Sequence, residues 1–320
     1  MKKKTTSILM VLFIALCAFT SCSDDDTNVV IESNTIADFV AANPDYSSLG
    51  AALERANLTA VLSGTTNYTV FAPNNAAFSS YLQANGYASL DDVPVDTLTQ
   101  VLLNHVISGV NTSSDLATGY IETLAEEATT GNKINMHVNT SNGVILNGTS
   151  AVTTANVPVD NGIIHAVNAV IDLPTVVTFA TADATFNVLV QALTREESFT
   201  YVETLSTKTA PAPFTVFAPT NQAFTNLLAE LELNALADIP TATLEATLNT
   251  HVVAGANVVS TTLTDGMMVN TLGANFTINT NGGVTFTDQN NRTGDIIVTD
   301  VQAVNGVIHV VNKVILPNLN

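Results

Sequence analysis

The chain writes one structural unit twice, and this constrains its fold more than any other feature. Ile36, Phe39, Tyr46, Leu49 and Leu53 correspond to Val176, Phe179, Phe186, Leu189 and Leu193 at an offset of 140 residues. After a six-residue insertion, YTVFAPNNAAF (68–78) matches FTVFAPTNQAF (214–224) at an offset of 146. LLNHVISG (102–109) matches LNTHVVAG (248–255) at the same offset. NGIIHAVNAVI (161–171) then matches NGVIHVVNKVI (305–315) at 144. Four matched blocks in one order define a tandem repeat. Pro174 closes the first copy and Thr175 opens the second, giving domains at 31–174 and 175–320. Each is long enough to bury its own core. A connection this short restricts relative motion, so the copies are expected to pack together or to hold a limited angle.

Each unit opens with apolar residues at helical spacing, Ile36, Phe39 and Val40, then Leu49, Ala52, Leu53 and Leu58. Residues 68–71 read as a short strand ended by Ala72-Pro73, and Asn74 or Thr220 as the N-cap of the following helix, which carries Phe78 and Leu82 in the first unit. Residues 96–107 have helical spacing through Leu98, Val101, Leu102 and Val106. Thereafter the pattern alternates. Residues 134–138 and 144–146 around Asn142-Gly143 predict a hairpin, as do 276–278 and 284–286 around Asn281-Gly282-Gly283. Asn161-Gly162 and Asn305-Gly306 predict tight turns into a last apolar strand. Helices followed by strands imply an α+β fold.

The blocks FTVFAPTNQAF and, about 80 residues later, NGVIHVVNKVILP resemble the two signature boxes of the fasciclin domain family, and both boxes occur in both copies. The resemblance covers nearly all of 31–320. It implies two tandem domains, each a wedge-shaped β-sandwich with helices packed around it, and roles in cell adhesion and extracellular interaction. Its motif residues are Phe71, Pro73, His105, Asn161, Gly162 and His165 in the first unit, and Phe217, Pro219, His251, Asn305, Gly306 and His309 in the second. In many animal members a Tyr-His pair in the central block is associated with integrin recognition. Here Asn104 and Thr250 replace that tyrosine. The Asp-Ile element before the last Asn-Gly is Asn156-Val157 in one unit and Asp300-Val301 in the other. The resemblance therefore carries over fold and general role, but no specific receptor.

The first 30 residues carry a different message. Lys2, Lys3 and Lys4 precede the apolar run ILMVLFIALCAF (8–19) and then Thr20-Ser21-Cys22. A basic head and a short apolar run ending in small residues describe an export signal over 1–21. Twelve residues are too few to span roughly 30 Å of hydrocarbon as a permanent helix. Cys22 behind small residues resembles a bacterial lipobox, which implies thioether lipidation of Cys22, cleavage before it and stable membrane attachment. Ser23, Asp24, Asp25 and Asp26 open an acidic tether over 22–30. They resemble the signal that sends lipoproteins of Bacteroidetes-type bacteria to the outer cell surface. An exported outer-membrane lipoprotein, displayed at the surface, is the expected localisation.

The formal charge is −19, and removal of the three leader lysines leaves six basic residues against 28 acidic ones. Nucleic acid is a poor partner for such a chain, because its binding needs clustered Lys and Arg. Both cysteines lie within the first 22 residues, so no internal disulfide is available. No metal site is expected, since there is one histidine per block, no HxxxH or HExxH spacing and no ligand cysteine. No nucleophile elbow, P-loop or dinucleotide fingerprint is present, and no catalytic residue or cofactor is expected. His165 and His309 read as buried neutral imidazoles bonded to backbone, and His105 and His251 as buried near a helix end. His137, without a counterpart, is expected to be exposed on its strand. Asp92 and Asp238, before Pro94 and Pro240, read as helix-entry residues, and 288–295 as a surface loop in which Arg292 stands where a calcium ligand would be needed. The expected function is a membrane-anchored, non-enzymatic interaction or adhesion protein binding a protein or a glycan. The alternative is an envelope spacer or accessory subunit of a cell-envelope complex.

Overall fold

The computed structural model describes residues 33–318. The expected acidic tether and Cys22 lie outside them. In the first unit, helices α1 (Ile36–Ala42), α2 (Ser47–Arg55) and α3 (Thr59–Leu62) precede strand β1 (Tyr68–Pro73), and α4 (Asn75–Ala84) and α5 (Val95–Leu103) follow it. Strands β2 (Val106–Ser108), β3 (Gly119–Glu126), β4 (Lys133–Asn139), β5 (Ile145–Leu146), β6 (Ser150–Val159) and β7 (Gly162–Val167) complete the unit. The second unit repeats the plan. It has α6 (Val176–Ala182), α7 (Asn187–Leu193), α8 (Tyr201–Ser206), β8 (Phe214–Pro219), α9 (Asn221–Glu230) and α10 (Thr241–Asn249). Then come β9 (Val252–Ala254), β10 (Met268–Val269), β11 (Phe276–Asn279), β12 (Thr285–Thr287), β13 (Thr293–Ala303) and β14 (Gly306–Val311).

Local chemistry sets the helix starts. Thr35 closes a capping box with Asp38, and Thr175 does so with Thr178. Asn74 accepts from the N–H of Ala77 at 2.9 Å and Thr220 from that of Ala223 at 3.2 Å, so both expected caps are present. One expectation fails here. The helix read over 96–107 stops at Leu103, and Val106 and Ile107 belong to strand β2. Their apolar side chains fit either period, and pairing with β1 decides for the strand.

Each unit has one seven-stranded sheet, ordered β2-β1-β7-β6-β5-β4-β3 in the first and β10-β11-β12-β13-β14-β8-β9 in the second. The two signature boxes, about 90 residues apart in the chain, are adjacent parallel strands. Phe71 pairs with His165 in β1–β7 and Phe217 with His309 in β8–β14. Both last strands are buried along their whole length, as a parallel strand covered on two faces must be. In the first unit the sheet curls until its end strands β2 and β3 approach each other. Its concave side encloses one core, with Phe71, Met136, Leu146 and Val167. A larger core lies between the sheet and the helices, with Ile36, Leu53, Phe78, Leu98 and Ile164. This is the expected α+β architecture.

The units pack against each other within one compact body. The Tyr120 ring of β3 meets Phe179 of α6 edge-on at 5.3 Å, and its hydroxyl donates to Asp183 at 2.9 Å. Val304 N–H donates to the Pro174 carbonyl at 2.8 Å. His137 is the main correction to the sequence reading. It is only 2% exposed, beside Tyr120 and with Nε2 3.9 Å from Asp183. The second unit covers the strand face that a solitary first unit would leave in water.

Candidate functional site

The motif residues form two matched clasps around the central strands. Asn161 accepts from the N–H of Ile36 at 2.8 Å and donates to the carbonyls of Leu62 and Gly64 at 2.7 and 2.8 Å. Asn305 does the same with Val176, Leu205 and Thr207 at 3.0, 2.8 and 2.8 Å. One amide thus fixes the first and third helices of each unit to the turn before its last strand. A Cβ on Gly162 would stand 1.9 Å from the Tyr68 carbonyl oxygen, and one on Gly306 2.1 Å from that of Phe214. Glycine is therefore required where the strand begins beside β1 or β8.

The four motif histidines are backbone ties. Nδ1 of His105 donates to the Val101 carbonyl at 2.7 Å, and its Nε2 accepts from Ile171 N–H at 2.8 Å. His251 repeats this with Thr247 and Ile315 at 2.8 and 2.9 Å. These bonds define the neutral tautomer, and burial pushes both pKa values down to about 4. His165 donates from Nε2 to the Asn111 carbonyl at 2.9 Å and accepts at Nδ1 from Asn156 N–H at 3.2 Å. His309 makes the same pair with Val258 and Asp300 at 2.8 and 3.4 Å. Burial lowers the pKa of both. With both ring nitrogens committed to backbone in all four, none has a nitrogen free for a metal or a substrate proton. Among the described residues no group of three or more His, Cys, Asp and Glu could hold a metal ion.

The positions matched to the family's recognition elements divide in two. Asn104 and Thr250 are fully buried. Asn104 donates to the carbonyls of Ile171 and Asp172, both at 3.1 Å, while Thr250 bonds Ala246 and Ala274. Both lock the core and face no partner. Asn156 and Asp300 instead sit at irregularities of β6 and β13 with left-handed backbone, φ 62° and 60°. The carboxylate of Asp300 accepts from both the N–H and the hydroxyl of Ser260, and Asn156 similarly engages Ser113. The histidine behind each irregularity holds it in place.

Directly before the irregularity of β13, Ile297 and Val298 are 53% and 43% exposed. Their counterparts in the first unit, Thr153 and Thr154, are also exposed but polar. This apolar pair beside Asp300 is the surface feature that the sequence reading missed. Alternation along 293–303 could have flagged it, but a strand with irregularities has no fixed period.

The remaining candidates are structural. Asp92 closes a turn by accepting from Ser89 N–H at 2.8 Å, and Asp238 does so from Ala235 N–H at 2.9 Å. The 288–295 segment is more than a surface loop. Asp288 is buried, accepts from Asn290, Arg292 and Leu316 N–H groups, and pairs with Arg292 at 2.8 Å. Arg292 reaches on to Glu230 and to the Val314 carbonyl.

Comparison with known proteins agrees with these motifs. The family model for the fasciclin domain matches residues 44–174 and 184–317. Protein sll1483 of Synechocystis is 32% identical over 137 residues, 43% of this chain and 72% of that protein. The transforming growth factor-beta-induced protein ig-h3 of Sus scrofa is 26% identical over 262 residues, which is 80% of this chain and 36% of that longer protein. Among solved structures, a FAS1 domain pair from the insect cell adhesion molecule Fasciclin I is similar with a TM-score of 0.48 and 19% identity, over 83% of this chain and 92% of that one.

Proposed function

The chain belongs to the fasciclin domain family, and from that premise we propose that it is a non-enzymatic cell-surface interaction protein. It is held in the outer membrane by lipid on Cys22 and binds an extracellular protein through its second unit. The observation that carries this reading is the exposed pair Ile297 and Val298 on a strand fixed by neighbours on both sides, with Asp300 alongside. Apolar side chains presented on a rigid strand cost little entropy to bind, and an adjacent acid selects for a basic or hydroxyl-bearing contact. General adhesion also accords with the family, one member of which is the insect cell adhesion molecule named above.

The test has two arms. Antibody labelling of intact cells, comparing wild type with Cys22→Ala and with Asp24, Asp25 and Asp26 replaced by alanine, asks whether the protein is displayed. Adhesion of those cells to protein-coated and glycan-coated surfaces, comparing wild type with Ile297→Asp and Val298→Asp, asks what it holds. Loss of adhesion to protein coats in correctly displayed variants supports the reading. Label that appears only after permeabilisation would turn it toward a spacer or accessory role inside the envelope.

A further inference from the structure

The second unit departs from the first where its six extra residues fall. Asn161 and Asn305 bond the carbonyls of Leu62 and Leu205, which makes those leucines equivalent. Leu53 lies nine residues before Leu62, and Leu193 twelve before Leu205, so three of the extra residues stand ahead of α8 and three between it and β8. The third helix is thereby set on longer connections than its counterpart. Behind it, between α6, α7, α8 and the sheet, is a cavity of about 650 Å³ with its open mouth included. Val177, Ala180, Phe186, Val190, Tyr201 and Val202 line it, and its exposed wall is almost entirely carbon. In the first unit Val40 and Gly50 stand at the positions of Ala180 and Val190, and the buried Val40 side chain lies 3.5 Å from where a Gly50 Cβ would be. The smaller Ala180 leaves room there that Val40 takes up.

A second cavity, about 560 Å³ with its mouth, adjoins the first and shares Tyr201, Leu205 and Val252 as a common wall. Its other lining is polar, with Ser198, Thr200, Thr204, Glu245 and Asn249. The Tyr201 hydroxyl in that wall donates to Asn249 Oδ1 at 3.0 Å and to the Glu245 carbonyl at 3.2 Å. A carbon-lined slot gives water no hydrogen-bond partners and so selects a hydrocarbon occupant. Hydroxyls and an amide beside it offer donors and acceptors together, as a hydroxyl-bearing group requires. The Glu245 carboxylate and a formal charge of −19 repel an anionic head.

We propose that these adjoining cavities form one binding site for a single-chain amphiphile with an uncharged, hydroxyl-bearing head. The hydrocarbon enters between α6, α7 and α8, and the head occupies the polar vestibule past Tyr201. This site is separate from the Ile297–Val298 surface and does not rest on the adhesive reading. The ligand can be a free amphiphile or a lipid in a facing membrane, since both present the same chemistry.

The probe is an alkyl β-glucoside with a photoactivatable group at the end of its chain, irradiated with the full chain below its micelle concentration. Crosslinks are then mapped by mass spectrometry. The expected result is labelling concentrated within residues 176–206. It should fall at least five-fold in Ala180→Val, which installs the first unit's side chain, and in Val202→Asp at the exposed mouth. An equally long fatty acid probe should label this segment at least five-fold less. Repeating the reaction with the glucoside in vesicles separates the sources, because labelling from vesicles as well identifies a membrane lipid and labelling from solution alone a free amphiphile. Crosslinks spread evenly over the chain, labelling indifferent to both substitutions, or preference for an anionic or cationic chain would overturn the proposal.

Discussion

The backbone N–H of Gln302 donates to Oδ1 of Asn135 at 2.7 Å, tying the longest strand of the second unit to an inner strand of the first. Both residues are buried, and the Gln302 side chain is held by Asn257, Ala303 and Gly306. The bond spans 167 residues and exists only if the two units dock. Asn135→Leu should leave that N–H buried without a partner and cost about 1–3 kcal/mol. Chemical denaturation of the intact chain measures this. A split of one cooperative transition into two would show that the bond couples the units, and an unchanged curve would remove it from the interface's energetics.

The buried histidines predict an acid-sensitive fold. In an unfolded chain histidine takes up a proton near pH 6.5, whereas His105 and His251 resist protonation until about pH 4 because burial disfavours the charged ring. The unfolded state therefore binds more protons across that window. Stability should be flat above about pH 7, fall between pH 6.5 and 4, and lose nothing further from these two groups below that. Each accounts for up to roughly 3 kcal/mol of the fall. Unfolding free energies measured from pH 7 to 4.5 should show a shallower slope in His105→Gln. That variant should also start about 1–3 kcal/mol lower, because Ile171 N–H loses its acceptor.

Gly162→Ala and Gly306→Ala should each cost roughly 3 kcal/mol or more, since the new methyl meets a carbonyl oxygen of the neighbouring central strand. Gly86 also has positive φ, at 73°, but open space around it, so Gly86→Ala should cost only about 1 kcal/mol. Thermal melts of the three variants check this. Equal losses would mean that backbone conformation, rather than the close approach of two strands, sets the requirement.

Arg292 bridges the buried Asp288 carboxylate and Glu230 on α9. Arg292→Met should destabilise by about 3 kcal/mol, because it strands a buried carboxylate. Asp288→Asn with Arg292→Met should recover part of that loss. A double-mutant cycle on unfolding free energies separates the outcomes, and additive losses would exclude a coupled pair.

Much of this molecule was legible in its sequence. The internal repeat fixed two units and their boundary, and the apolar periods with Asn74, Thr220 and the Asn-Gly turns located most elements. All of these signals are local or are comparisons of one copy with the other. The histidines were also legible as buried ties, because a lone imidazole among β-branched residues must find backbone partners. Three things required the fold. Pairing along the sheet made residues 106–108 a strand, although their side chains suit a helix equally. The burial of His137 depends on the second unit, and no residue near position 137 records what will cover it. The exposure of Ile297 and Val298, like the opening beside Ala180, follows from where strands bend and helices stand apart. Sequence determined what each segment can form, because hydrogen bonding and apolar period act over a few residues. Tertiary structure alone decided which faces meet, because burial is shared between residues far apart in the chain.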